Sequence, residues 1–118
     1  MQTAGKVAIA LAVILVFVFI ALYEKANQPQ YVGCYKDQPP PRRAMTPLFS
    51  SDRVAPAQCV AEAKRLGYKY VGYQDAQAGL VQCFASSDLA HAEKNGAATP
   101  ANCPGGAGAA WHNAIYEV

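Results

Sequence analysis

Residues 7–23 read VAIALAVILVFVFIALY, a run with no charge, proline or glycine. As a helix rising ~1.5 Å per residue it would be ~25 Å long, at the lower limit for crossing a bilayer. A helix serving a soluble core would carry a polar stripe, and this run has none. A cleaved signal peptide would end in a small-x-small pattern. At that spacing Ala21 follows Phe19 and Ala26 follows Glu24, so neither position fits. The expectation is a retained transmembrane helix over 7–23, with residues 1–6 as a short inner tail and 24–30 as a polar linker. Lys6 and the terminal amine flank one end, while Glu24 and Lys25 nearly cancel at the other. The positive-inside rule then puts the N-terminus inside and the rest of the chain on the extracytoplasmic side.

Residues 31–118 remain for one small domain, whose core is thin enough to need covalent staples. All four cysteines, Cys34, Cys59, Cys83 and Cys103, fall there. An even number in a domain this size reads as two disulfides in an oxidising space. Zinc is the rival reading, but structural zinc sites use closely spaced ligand pairs, and no two of these cysteines are closer than twenty residues. From Tyr31 onward there are eight Lys or Arg against seven Asp or Glu, which gives nucleic acid no basic footprint to bind.

The pattern along the domain is that of an α+β fold. YVGCY (31–35) reads as a strand, and KDQPPPRRAMTP (36–47) as a Pro-rich surface loop, because consecutive prolines cannot donate to a ladder. PAQCVAEAKRLG (56–67) carries the signals of a helix: Pro56 in its first turn, Lys64 and Arg65 in its last, and Gly67 after its end. Cys59, Val60, Ala63 and Leu66 share one face at helical spacing. GYKYVGYQ (67–74) and GLVQCF (79–84) have the two-residue period of strands. Leu80, Gln82 and Phe84 take one side of the second, Val81 and Cys83 the other. SDLAHAEKNG (87–96) reads as a short helix capped by Ser87, ATPANCPGGAGAA (98–110) as a small-residue loop, and WHNAIYEV (111–118) as a final strand. Together these predict a transmembrane helix followed by a small disulfide-bonded domain, an antiparallel sheet packed against one main helix.

Catalysis is not expected. His91 and His112 have no Cys, Asp or Glu at catalytic or metal spacing, GGAG near residue 105 lacks the lysine of a phosphate loop, and no carboxylate pair stands out. No metal or cofactor is expected either. Alternate aromatics on a half-buried strand usually serve the core, which is the expectation for Tyr70 and Trp111. Tyr35, Tyr68 and Tyr73 are the better candidates for exposure, where a ring can stack on sugar C–H groups. Gln74, Asp75 and Asn113 would supply hydroxyl partners beside them. Arg42, Arg43 and Arg53 form a basic group that would meet an acidic glycan or a protein.

In their order, YVGCYKD, RAM, the helix with Cys59, GYKYVGYQ, CF, SDL, NC and WHNAIYEV resemble a WSC domain, an extracellular module related in shape to PAN and apple domains. The resemblance runs from about Tyr31 to the end. It implies carbohydrate binding, and similar short domains are encoded by large DNA viruses. The fuller family pattern has eight cysteines. Its second helix cysteine corresponds to Ala63, and where it reads Cys-Trp-Cys-Gly this chain has Cys83-Phe84-Ala85-Ser86. With the resemblance in hand, the helix face and adjacent strand pair Cys59 with Cys83, leaving Cys34 for Cys103. Two functions remain open, and the first is preferred. One is a structural tether, a surface or minor capsid component joining a bilayer, through 7–23, to a protein shell or wall. The other is a lectin-like adhesion or sensor module.

Overall fold

The computed structural model describes residues 9–20 and 28–118. Residues 9–20 are helical, with large apolar side chains such as Phe17 and Phe19 exposed. The remainder of the 7–23 run, the tail 1–6 and most of the 24–30 linker lie outside the described residues. Among the described residues no helix is long and apolar enough to cross a membrane.

The domain is one antiparallel sheet. Its strands are β1 (Gln30–Lys36), β2 (Thr46–Pro47), β3 (Arg53–Val54), β4 (Tyr70–Gln77), β5 (Leu80–Ser86) and β6 (His112–Glu117), ordered β1-β6-β4-β5-β2 with β3 also on β5. Two helices complete it, α1 (Pro56–Arg65) and α2 (Leu89–Ala92). Both sheet edges are occupied, which removes the hazard of open ladder groups. The outer edge of β1 receives the 96–98 segment, through Lys36 N–H to Gly96 O at 2.9 Å and Ala98 N–H to Cys34 O at 2.9 Å. The outer edge of β5 is shared by β2 and β3. Pro47 therefore sits in a two-residue edge ladder where the sequence predicted loop, a place an edge strand allows proline.

Local chemistry sets these elements. Gln58 Oε1 accepts the Ala55 N–H at 3.1 Å and closes the start of α1. At its end Gly67 takes φ +82°, Tyr68 N–H reaches Ala63 O at 2.9 Å and Gly67 N–H reaches Lys64 O at 3.1 Å. That left-handed reversal needs glycine and satisfies two carbonyls the helix leaves open. Ala78 and Gly79, at φ +52° and +78°, form the two-residue turn between β4 and β5. α2 is capped by Asp88, whose carboxylate accepts the His91 N–H, rather than by Ser87, whose neighbour is the one in register with the first free N–H groups.

Each sheet face has its own core. On one, α1 covers Val71, Tyr73, Val81, Cys83, Ala85 and Ala114. Cys59 joins Cys83, and Cys34 joins Cys103, as the sequence predicted. On the other face the Pro-rich loop and α2 lay Ala44, Met45 and Ala92 over Phe84 and Ile115, with Tyr35 and Tyr70 at the margin. Leu66 does not join the helix-side core: it is the last residue before the Gly67 reversal and stays exposed.

The parity of β4 is the main correction. Tyr73, predicted to be exposed, is 6% exposed under α1, and Tyr70 points to the opposite face. The cause is the disulfide. Tyr73 pairs directly with Cys83, and directly opposed residues share a face. Cys83 must face α1 to bond Cys59, so Tyr73 faces it too.

Candidate functional site

The face away from α1 carries a cleft of about 350 Å³. Arg43 of the Pro-rich loop and Trp111 of the loop before β6 stand on its lining, with Gln74, Asp75, Gln82 and Phe84 from the central strands and Ser51. Trp111 is 48% exposed, against the expectation that it belongs to the core. The reason is backbone geometry. Strand β6 begins at His112, and Trp111 sits in the turn before it at φ +60°, so it escapes the alternation that buries Asn113 and Ile115. Asp37 N–H holds the Trp111 carbonyl at 2.8 Å.

Two devices fix the cleft. The first is Asp37, a buried carboxylate. One oxygen accepts the N–H groups of Gln38 and Ala44 at 2.9 and 2.8 Å, closing the Pro-rich loop, and the other accepts the Gln74 amide. A carboxylate bound by three N–H groups withstands burial that an unpaired one would not. The second is Gly108, whose N–H donates to Tyr73 O at 2.9 Å and whose carbonyl accepts Ala76 N–H at 3.1 Å. A Cβ there would lie 1.9 Å from the His112 carbonyl oxygen, so only glycine lets the loop run against β4 and deliver Trp111 to the cleft.

The predicted site residues divide accordingly. Arg43, Gln74 and Asp75 share the lining of the cleft, and Arg53 joins them through Asp75. Arg53 and Asp75 form an ion pair, so each neutralises the other. Gln74 is buried and held by Asp37, which leaves it part of the floor rather than a free amide. Asn113 is fully buried with neither side-chain polar atom hydrogen-bonded among the described residues; it cannot contact a partner from beneath β1, β4 and Met45. Tyr35 is half-buried against the Met45 core, and burial first, then Glu93, raises its phenol above the ordinary value. Tyr68 packs beside the helix-side core, and Arg42 is exposed away from the cleft. Tyr73 lies on the wrong face of the sheet. Its ring stands 5.0 Å from that of Tyr116, and burial pushes its phenol up to about 12.

The sequence reading missed Trp111 and Gln82 as lining residues. Gln82 carries the one available signal, a polar residue between hydrophobic neighbours on a central strand, with its amide nitrogen on Ser51 O at 3.3 Å. Beside the cleft lies a second, of about 440 Å³, lined by Pro40, Pro41, Thr46 and His91. Arg43 and Ser51 line both, which makes one longer groove divided at Arg43. An exposed indole, fixed amides and a segmented groove suit an elongated polar ligand with C–H faces. Residues 31–110 match the family model described as the WSC domain. No curated protein matches the chain.

Proposed function

Because the chain belongs to the WSC domain family, we propose that it is an extracytoplasmic carbohydrate-binding module that takes an oligosaccharide along the Trp111 groove. The observation that carries this reading is the half-exposed indole on the lining of a cleft built of amides, a hydroxyl and a neutralised ion pair. Sugar rings stack on such a face through their C–H groups, and their hydroxyls need paired donors and acceptors at its edge. The reading is of binding without catalysis. Among the described residues Asp75 is the single carboxylate lining the cleft, whereas glycoside hydrolysis uses two.

The full chain in detergent micelles, applied to a glycan array, tests it. Wild type should bind a restricted set of glycans, and Trp111→Ala should lose at least tenfold in affinity with its melting temperature nearly unchanged. Equal binding by the two proteins would remove the groove from the account.

The same proposal gives the apolar run 7–23 the role of an anchor that displays the domain outside a membrane, supported by its unbroken hydrophobicity and by two disulfides in the domain that follows. A module so anchored and glycan-bound would act as a tether to a wall or coat; a protein shell or capsid is the alternative attachment. N-terminal sequencing of the mature protein checks the anchor: a start at Gln28 or beyond would make the protein a secreted one.

A further inference from the structure

Charge in the groove is unequally matched. Arg53 is answered by Asp75. Asp37 lies behind the floor with its oxygens already taken by Gln38, Ala44 and Gln74. Arg43 has no such answer. Among the described residues the ion pairs are Arg53–Asp75 and Arg65–Glu62, and neither involves Arg43. Its Nε is buried and without a hydrogen-bond partner. Its guanidinium lies 5.0 Å above the Phe84 ring, which holds the fork in one place without using its donors. With Asp75 taken by Arg53, Arg43 is the one charge on the lining of the first cleft left without an ion-pair partner among the described residues, at the point where the two clefts meet. A half-buried guanidinium with a free N–H is unfavourable unless something accepts from it.

Resting on the carbohydrate reading above, we propose that the groove takes an acidic sugar, whose carboxylate or sulfate docks on Arg43 while a neighbouring ring stacks on Trp111. The planar fork of arginine matches either anion with two parallel hydrogen bonds, which lysine cannot reproduce. A neutral glycan offers this fork hydroxyl acceptors but no opposite charge, and charge-assisted bonds are about twice as strong, so the groove discriminates by charge as well as by shape.

The test uses the full chain in micelles and three probes: hexamers of galacturonate, the same hexamers after methyl esterification, and a sulfated galactan oligomer without carboxylates. Wild type should prefer at least one anionic probe over the ester by roughly tenfold to a hundredfold, the range of a charge-assisted hydrogen bond, and the preferred anion identifies the source. Arg43→Gln should abolish that preference, and Arg43→Lys should keep only part of it. Arg42→Gln, an exposed neighbour outside the groove, should leave it intact. Melting temperatures establish that each variant is folded; if Arg43→Gln does not fold, Arg43→Lys carries the comparison. Affinity of wild type for both anionic probes no greater than for the ester overturns the acidic-sugar proposal while the carbohydrate reading stands. If an anion preference survives in Arg43→Gln, the site is elsewhere and the proposal fails. If no probe and no glycan on the array binds, the carbohydrate reading falls and this inference falls with it.

Discussion

Removing the Tyr73 ring should destabilise the domain more than removing any other tyrosine. The side chain is 6% exposed, lies in the core with Cys59, Ala63 and Cys83, and packs 5.0 Å from the Tyr116 ring. A buried aromatic removes about 150–250 Å² of surface from water. At ~25 cal/mol per Å² that is ~4–6 kcal/mol, an upper figure because the unfolded chain already hides some of it. Truncating large aromatics in cores costs about 3–5 kcal/mol, so Tyr73→Ala is expected to cost ~4 kcal/mol. A domain of about 90 residues has only ~5–14 kcal/mol in total. The melting temperature should fall by roughly 15 °C or more. Tyr73→Phe separates ring from hydroxyl. The hydroxyl has no protein hydrogen-bond partner among the described residues, so this variant should stay within about 1 kcal/mol of wild type. Tyr70→Ala, on the other face and only half-buried, should cost less, on the order of 1–3 kcal/mol. Thermal melts of the three variants decide the matter. If Tyr73→Ala melts like wild type while Tyr70→Ala collapses, β4 faces the other way and the account of the core is wrong.

Ala63 and Ala85 are both fully buried, one turn after Cys59 on α1 and two residues after Cys83 on β5, so Ala63→Cys with Ala85→Cys should close a third disulfide; thiol titration of the denatured protein should find no free thiols. The Cys59–Cys83 bond already shortens the loop it closes to about seven residues, so the gain should be ~2 kcal/mol rather than the ~3.4 of an open 22-residue loop. Gly72→Ala should lower the melting temperature by an amount matching about 1–3 kcal/mol, since its Cβ would lie 2.7 Å from Met45 Sδ and 2.8 Å from Asn113 Oδ1. Burial raises the phenols of Tyr73, to about 12, and of Tyr116. The folded state thus prefers them protonated. For Tyr73 that stability is complete below the ordinary tyrosine value near 10 and is lost as pH rises through about 12, and Tyr116 contributes in the same direction. Absorbance at alkaline pH should show these two ionising late and together with loss of the fold; ionisation of every tyrosine near pH 10 in a folded protein would contradict it.

What the sequence made legible follows from the range of each signal. The α1 limits rest on Pro56, Gln58 and Gly67, all within one turn of what they control. The strand sides of β5 follow from strict alternation, and Cys83 then fixes the pairing with Cys59. The side on which β4 presents its tyrosines was not legible by itself, because the three residues from Gly67 to Lys69 can enter a strand with either parity. Only the Tyr73–Cys83 register decides it. Trp111 was misread because alternation was carried one residue too far, across a positive φ. Gln74 and Asn113 read as surface groups because they are polar. Gln74 is buried by Asp37, 37 residues away, and Asn113 by the Met45 side of the sheet. Arg43 was legible as a basic candidate, but its isolation from any carboxylate belongs to the folded chain alone.

Trp111 is the single tryptophan of the chain, so its emission reports on the groove without a label. The direct measurement is a fluorescence titration of the full chain with oligogalacturonate and with a neutral oligosaccharide of equal length. A glycan stacked on the half-exposed indole removes water from it, and the account predicts a saturable blue shift, stronger for the acid, with that preference lost in an Arg43→Gln control that keeps Trp111. Emission that stays constant through millimolar concentrations of both sugars, in a protein whose melting curve shows it folded, would contradict the assignment of this groove as a glycan site.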